Sequence, residues 1–289
     1  MDILGTFELG IILSLFVLGM IVSFRILGFA DLTIEGSFIT GGALFAILVN
    51  NGINPFLCVI ISMLGGGLAG IITAFLHCYA KISKLLSGII TLTMLYTVNL
   101  RIMGRSNVSI EELTVLDYLP YSWYEFSILL FICIVVFALI KIFLSTNLGL
   151  YLRATGENES LVKNLKVNPK IFIIMGLLIS NSLVALSGSL FAQYVGFSDI
   201  GSGSGMLVSM LTAMIIGENI IRPHTLNRQI ISAIFGAVIF QFLYSLALQL
   251  GVNPIDLKII IGLLLIILLI VTKFGRRNKP SKNIGTNFI

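Results

Sequence analysis

Three acidic side chains, Asp31, Glu35 and Glu218, border long apolar runs, where a carboxylate is costly unless it has work to do. As a set they are candidates for a gate at one mouth of a route through a membrane. The structural alternative is also open. Asp31 is placed to cap the helix that follows and to pair with Arg25, and Glu35 sits in the first turns, where the helix dipole favours negative charge. Glu218 would then touch only the segment 222–228. Uncharged polar residues recur inside other apolar runs: Thr91, Thr93, Tyr96, Asn99, Asn181, Ser182 and Gln193. They either line a mildly polar route or bond between helices. Thr91 and Thr93 cannot share a helical face well, so only part of the set is expected to line a route.

Other chemistry finds no footing. There is no GxxxxGK[ST] run, so the chain lacks a P-loop cradle for nucleotide phosphates. His77 and His224 stand alone, and Cys58, Cys78 and Cys133 show no metal-ligand or disulfide spacing. The Gly201–Gly205 run brings serines but no histidine on the same side. No enzyme activity and no cofactor are expected of this chain.

The elements that must carry these residues are membrane spans. The 289 residues are 57% hydrophobic and 11% charged, with mean hydropathy +1.06; a soluble domain carries about 25% charged residues. A span needs about 20 mainly apolar residues. Eight runs qualify: 7–27, 32–50, 55–78, 86–104, 126–144, 171–192, 229–250 and 257–273; a ninth, 206–221, is shorter and more polar. The expected fold is an all-α polytopic transmembrane bundle of about 8–10 spans. The polar first turns of 32–50 and the short 206–221 mark these two as broken or re-entrant, tolerated only inside protein or beside water. Gly65, Gly66, Gly67 and Gly70 offer a small-residue face for close helix approach.

If the runs alternate sides, every Lys and Arg except Arg101, Arg105 and Lys258 falls on the face that holds the C-terminus. The positive-inside rule then sets the N-terminus outside and the C-terminus inside. The basic balance marks that face and calls for no nucleic acid. On the outer side, 105–125 carries Val115, Leu116, Tyr118, Leu119, Tyr121, Trp123 and Tyr124, which reads as a segment lying at the membrane interface.

The longest inner loop, 145–171, has structure of its own. Leu148, Tyr151, Leu152 and Thr155 have helical spacing, Gly156 reads as a stop, and Asn158 or Ser160 as the cap of a second helix. Its apolar side would be Leu161, Val162 and Leu165, and Asn168-Pro169 closes it. Together 156–169 frame about three turns, roughly 20 Å. The acidic Glu157 and Glu159 lie near the start and Lys163 and Lys166 later, as a helix dipole prefers.

Here the sequence resembles a known family. TNLGLYLRATGENESLVKNLKVNP (146–169) is similar to the cytoplasmic loop of ABC-importer permeases of the branched-chain amino acid and ribose type. Gly149, Arg153, Ala154, Gly156, Glu157 and Asn158 match its Gly–Arg–Ala–x–Gly–Glu–Asn stretch. Residues 31–45 and 177–220, with Ala-Leu-Ser-Gly, Gln193 and Ile-Ile-Gly-Glu, agree with it, and together they resemble the subgroup that pairs with lipoproteins binding tryptophan or tyrosine. The Gly201–Gly205 run departs from that pattern. The resemblance implies one permease domain over 1–275, a basic cytoplasmic tail over 276–289, and a bacterial-type plasma membrane. It implies that Gly156, Glu157, Asn158, Glu159, Leu161, Val162 and Leu165 couple to a cytoplasmic ATPase pair that uses the ATP. It also implies an external substrate-binding lipoprotein and a second copy of the chain as partners. The competing reading is a secondary transporter, which would need charged or strongly polar mid-span residues for an ion site; these spans hold mainly Ser, Thr, Asn and Gln.

Overall fold

The computed structural model describes residues 3–117 and 122–277. Eleven helices and two short strands follow one another in these stretches. Helix α1 (Ile3–Met20) runs on into a π-helical turn, Ile21–Ile26, and is followed by α2 (Thr33–Asn50), α3 (Pro55–Cys78) and α4 (Lys84–Met103). After strand β1 (Asn107–Ser109) come α5 (Ser122–Ser145) and two short helices, α6 (Asn147–Glu157) and α7 (Glu159–Asn164). Then follow α8 (Pro169–Val195), β2 (Phe197–Asp199), α9 (Met206–Ile220), α10 (Leu226–Gln249) and α11 (Pro254–Arg277).

Seven helices among the described residues are long and apolar enough to cross a membrane. Helix α9 is the shorter element that the sequence marks, and α11 covers the eighth expected run. The expected 276–289 tail lies outside the described residues from 278 on, as do Tyr118, Leu119 and Tyr121 of the outer segment. Two other members of that segment, Val115 and Leu116, are buried, not laid along an interface. Strand β1 explains why. It pairs antiparallel with β2, with Val108 opposite Ser198, and this pins the outer segment onto the ends of α2 and α8.

The helices pack in a repeated pattern. Helix α1 lies against α10 as α8 lies against α3; α2 lies against α3 and α4 as α9 lies against α10 and α11. The neighbours of α8, α9, α10 and α11 thus parallel those of α1, α2, α3 and α4. The similar segments 50–55 and 250–254 do not report this repeat. They join α2 to α3 and α10 to α11, which are not equivalent positions in it.

Water does not drive helices together inside a bilayer; close packing and interhelical hydrogen bonds do. The glycine face of α3 meets α8. A methyl group added at Gly66 would run into Ala185 and the Asn181 carbonyl, and one at Gly70 into the Leu177 carbonyl. Gly66→Leu therefore forces α3 and α8 apart, and overpacking of this kind costs about 1–3 kcal/mol or more. The expected result is a lower midpoint of thermal unfolding in detergent. An unchanged midpoint would show that the contact bears no weight.

Candidate translocation and coupling sites

Lipid offers no hydrogen bonds, so polar groups in the bundle must find partners within it. Asp31 does so at the break between α1 and α2. It is fully buried; its Oδ1 accepts the Thr33 amide at 2.9 Å, and its Oδ2 accepts the Asn181 side-chain amide at 2.7 Å. Asn181 lies twelve residues into α8, about 18 Å from its start at 1.5 Å per residue. The loop 27–32 thus turns back into the bundle, and α2 begins inside it. The Ser37 hydroxyl donates to Asn181 Oδ1 at 2.6 Å, and Thr33 and Thr73 share a hydroxyl contact of 2.6 Å. One turn further, Thr40 donates to Asn99 Oδ1 at 2.9 Å, and Asn99 donates to the Gly36 carbonyl at 3.2 Å. These bonds form a polar spine joining α2, α3, α4 and α8.

The structure distributes the sequence-selected residues over three environments. Asn99 and Asn181 are wholly buried members of the spine, and Thr91 is buried with its hydroxyl on the Ser87 carbonyl. Ser182 faces Gly67, and Gln193 fastens the outer segment by accepting the Val115 amide at 3.1 Å. Thr93 and Tyr96 stand on the open face of α4, with Tyr96 55% exposed. The spine partners Thr33, Ser37 and Thr40 were visible in the sequence as polar first turns of a weak span. Their partners on α3, α4 and α8 were not, because no local spacing encodes a contact between residues 31 and 181.

The three acids do not form one cluster. Glu35 Oε1 accepts the Leu207 amide at 3.1 Å, so the start of α9 leans on α2 inside the bundle. Glu218 accepts two hydrogen bonds of 2.6 Å from Arg25, Nε to Oε1 and Nη2 to Oε2. This corrects the expected pairing of Arg25 with Asp31 and the expected contact of Glu218 with 222–228. The π turn ending α1 aims Arg25 at the last turn of α9, while Asp31 turns inward to Asn181. A planar guanidinium fits a carboxylate in two parallel bonds, so this clasp ties α1 to α9 with defined geometry.

On the basic face, the inner loop folds as α6 and α7. The expected stop at Gly156 is corrected: α6 runs through it to Glu157 and ends at Asn158, whose extended backbone breaks the helix. Gly156 serves close approach instead, since any side chain there would meet the Ile26 carbonyl. Asn158 Oδ1 accepts the Ser160 and Leu161 amides at 3.0 and 3.2 Å and caps α7. The expected three turns over 156–169 shrink to the six residues Glu159–Asn164, because Lys166 takes a left-handed φ of 59°. Asn168 then caps α8 by accepting the Lys170 amide at 3.1 Å. The apolar side of α7 splits. Val162 is fully buried, whereas Leu161 and Leu165 are 50% and 57% exposed, one turn apart on the outer surface.

With this geometry in place, similarity decides the family. The description "branched-chain amino acid transport system, permease component" matches residues 3–270. The chain belongs to that permease family. It is thus a multi-pass membrane subunit of an ABC-type transport system. The permease is similar to the tyrosine transport system permease protein of Clostridioides difficile, 38% identical over 91% of this chain and 89% of that protein. It is equally similar, at 38% over 82% and 85% of the two chains, to the uncharacterized protein RP368 of Rickettsia prowazekii. It is more distantly similar to the galactofuranose transporter permease YtfT of Escherichia coli, 25% identical over 84% and 72%. No solved structure matches the permease.

The spine yields a stability test. Asn181→Leu strands the buried Asp31 carboxylate and the Ser37 hydroxyl. Removing one partner of a buried charged group costs about 3–5 kcal/mol, so the variant should lose folded protein in membranes. Asp31→Leu in the same chain removes the stranded charge and should restore part of that loss. Normal folded yield of Asn181→Leu alone would show that the spine is not structural.

Proposed function

We propose that two copies of this permease form the path of an ATP-driven importer in a bacterial-type plasma membrane, and that the solute is an amino acid with an aromatic side chain. An external binding lipoprotein delivers the solute, and a cytoplasmic ATPase pair supplies the hydrolysis that this chain does not perform. The name of the Clostridioides difficile relative supports the solute class.

The observation that carries the coupling part is the form of α7. Asn158 caps it, buried Val162 fastens it to the bundle, and Leu161 and Leu165 face out on the side richest in Lys and Arg. An exposed leucine pair one turn apart is what a helix-in-groove contact uses. Helix α7 lies between α6 and α8, so a push on it reaches the break after α1 through Gly156. The double variant Leu161→Asp/Leu165→Asp should insert and fold normally, because both side chains are exposed. It should no longer co-purify with the ATPase, and uptake should fall to background. Normal co-purification and uptake would remove α7 from the mechanism.

The path part rests on α4. Helices α4 and α5 bury the same small share of their length within one protomer, yet α5 is far more apolar. Helix α5 offers Phe131, Ile134, Leu139 and Ile142, a surface suited to lipid. Helix α4 instead offers Thr93, Tyr96 and Thr97 together. A half-polar exposed face suits a wetted path between two copies better than lipid. Cysteines placed at 93 and 97 should react with small water-soluble thiol reagents from outside, and the reaction should block uptake. Residues 134 and 139, treated alike, should stay unreactive. Equal inertness at all four positions would refute the α4 assignment.

A further inference from the structure

One cavity near the outer side lies within one protomer, away from the open face of α4. It holds about 340 Å³, between α1, the end of α8, the loop 196–205, α9, α10 and α11. That is the low end of the range for small-molecule pockets, about 300–1,000 Å³, and suits one small solute. Its body is apolar and polarisable, with Phe191, Phe240, Tyr244, Met206 and Met210 on the wall. Polar groups reach it from separate elements: Ser202 and Ser204 from the loop, Ser209 from α9, Gln241 from α10 and Lys258 from α11.

Two of these side chains are unusual. Gln241 is only 8% exposed, and its amide makes no hydrogen bond among the described residues. The amide lines the cavity, so a polar guest there can both donate to it and accept from it. Lys258 is an exposed side chain that lines the cavity and forms no ion pair among the described residues. Its field reaches Glu35, but that carboxylate is already held by the Leu207 amide. The cavity therefore joins an available cation, a buried amide with both donor and acceptor capacity, several hydroxyls and a wall of rings and thioethers.

We infer that this cavity is a binding site for a zwitterionic amino acid with an aromatic side chain, held inside each protomer on the outer half of the bundle. The solute carboxylate faces Lys258, its ammonium faces Gln241 Oε1 and the serine hydroxyls, and its ring lies among Phe191, Phe240 and the methionines. The wall chemistry fits the solute class proposed above, and its role in uptake rests on that importer reading. An anionic lipid headgroup shares the affinity for Lys258, but a headgroup does not need the aromatic wall.

The test uses the full chain in phosphatidylcholine nanodiscs, without ATPase or binding protein, and radiolabelled L-tyrosine as probe. Saturable binding is expected, competed by L-phenylalanine but not by L-alanine. Gln241→Leu and Lys258→Met should each weaken it about tenfold or more, as loss of a hydrogen bond or charge contact does. Ser209→Ala, a smaller change, should weaken it less and guards against misfolding of the first two. Absence of saturable tyrosine binding, binding equal in all variants, or full displacement by phosphatidylglycerol nanodisc lipid would each overturn the inference. Because the assay lacks the ATPase, a negative result leaves the importer reading standing, whereas lost uptake in the α7 variant with intact tyrosine binding would affect only the coupling element.

Discussion

The bond between Asp31 and Asn181 is the constraint on which the rest of the bundle depends. A carboxylate inside lipid is tolerated only with partners that lipid cannot supply. Asp31 spends one oxygen on the first amide of α2 and the other on α8. In doing so it fixes where α2 begins, how far the loop 27–32 returns into the bundle, and the register of α2 against α8. Ser37, Thr40 and Asn99 extend the same register by one and two turns. The close approach of α3 to α8 at Gly66 and Gly70 brings Thr73 within reach of Thr33. Polar bonds and small residues thus act together: the glycines allow the distance at which the hydrogen bonds form.

The second half of the chain meets the same need with different residues. Helix α9 also begins inside the bundle, and the Glu35 carboxylate holds its first turn. Its far end is clasped to α1 by Arg25 and Glu218. Helices α2 and α9 are each held at the first turn by a carboxylate from the first half: Asp31 on the Thr33 amide and Glu35 on the Leu207 amide. On the basic face, Gly156 sets α6 against the break after α1, so the element bearing Leu161 and Leu165 touches the same junction from outside.

Much of this was legible in the sequence. Long apolar runs give membrane helices because only a helix satisfies its own backbone in lipid, and the one-sided Lys and Arg distribution orients them. Asn158 announces the start of α7 through a side-chain oxygen that reaches the next amides, whereas Asn168, read as closing a helix, caps the start of α8. The small residues of α3 and the polar first turns of α2 were likewise visible as local patterns. These signals are carried by spacing along a few turns, which is the range over which sequence determines structure directly.

What only the tertiary structure decided is which polar group meets which. Arg25 lies six residues from Asp31 in the chain yet bonds to Glu218, because the π turn and the inward course of 27–32 separate the nearer pair. Asn99 and Asn181 read equally well as route-lining or structural until their partners on α2 appeared. The recurring pattern of helix neighbours lies in how helices pack and not in a usable sequence match. The cavity around Gln241 draws on six elements spread over most of the chain. Composition and periodicity determined that this protein crosses a membrane as a bundle of helices. Long-range pairing, set by the cost of an unpartnered polar group in lipid, decided how its interior is arranged.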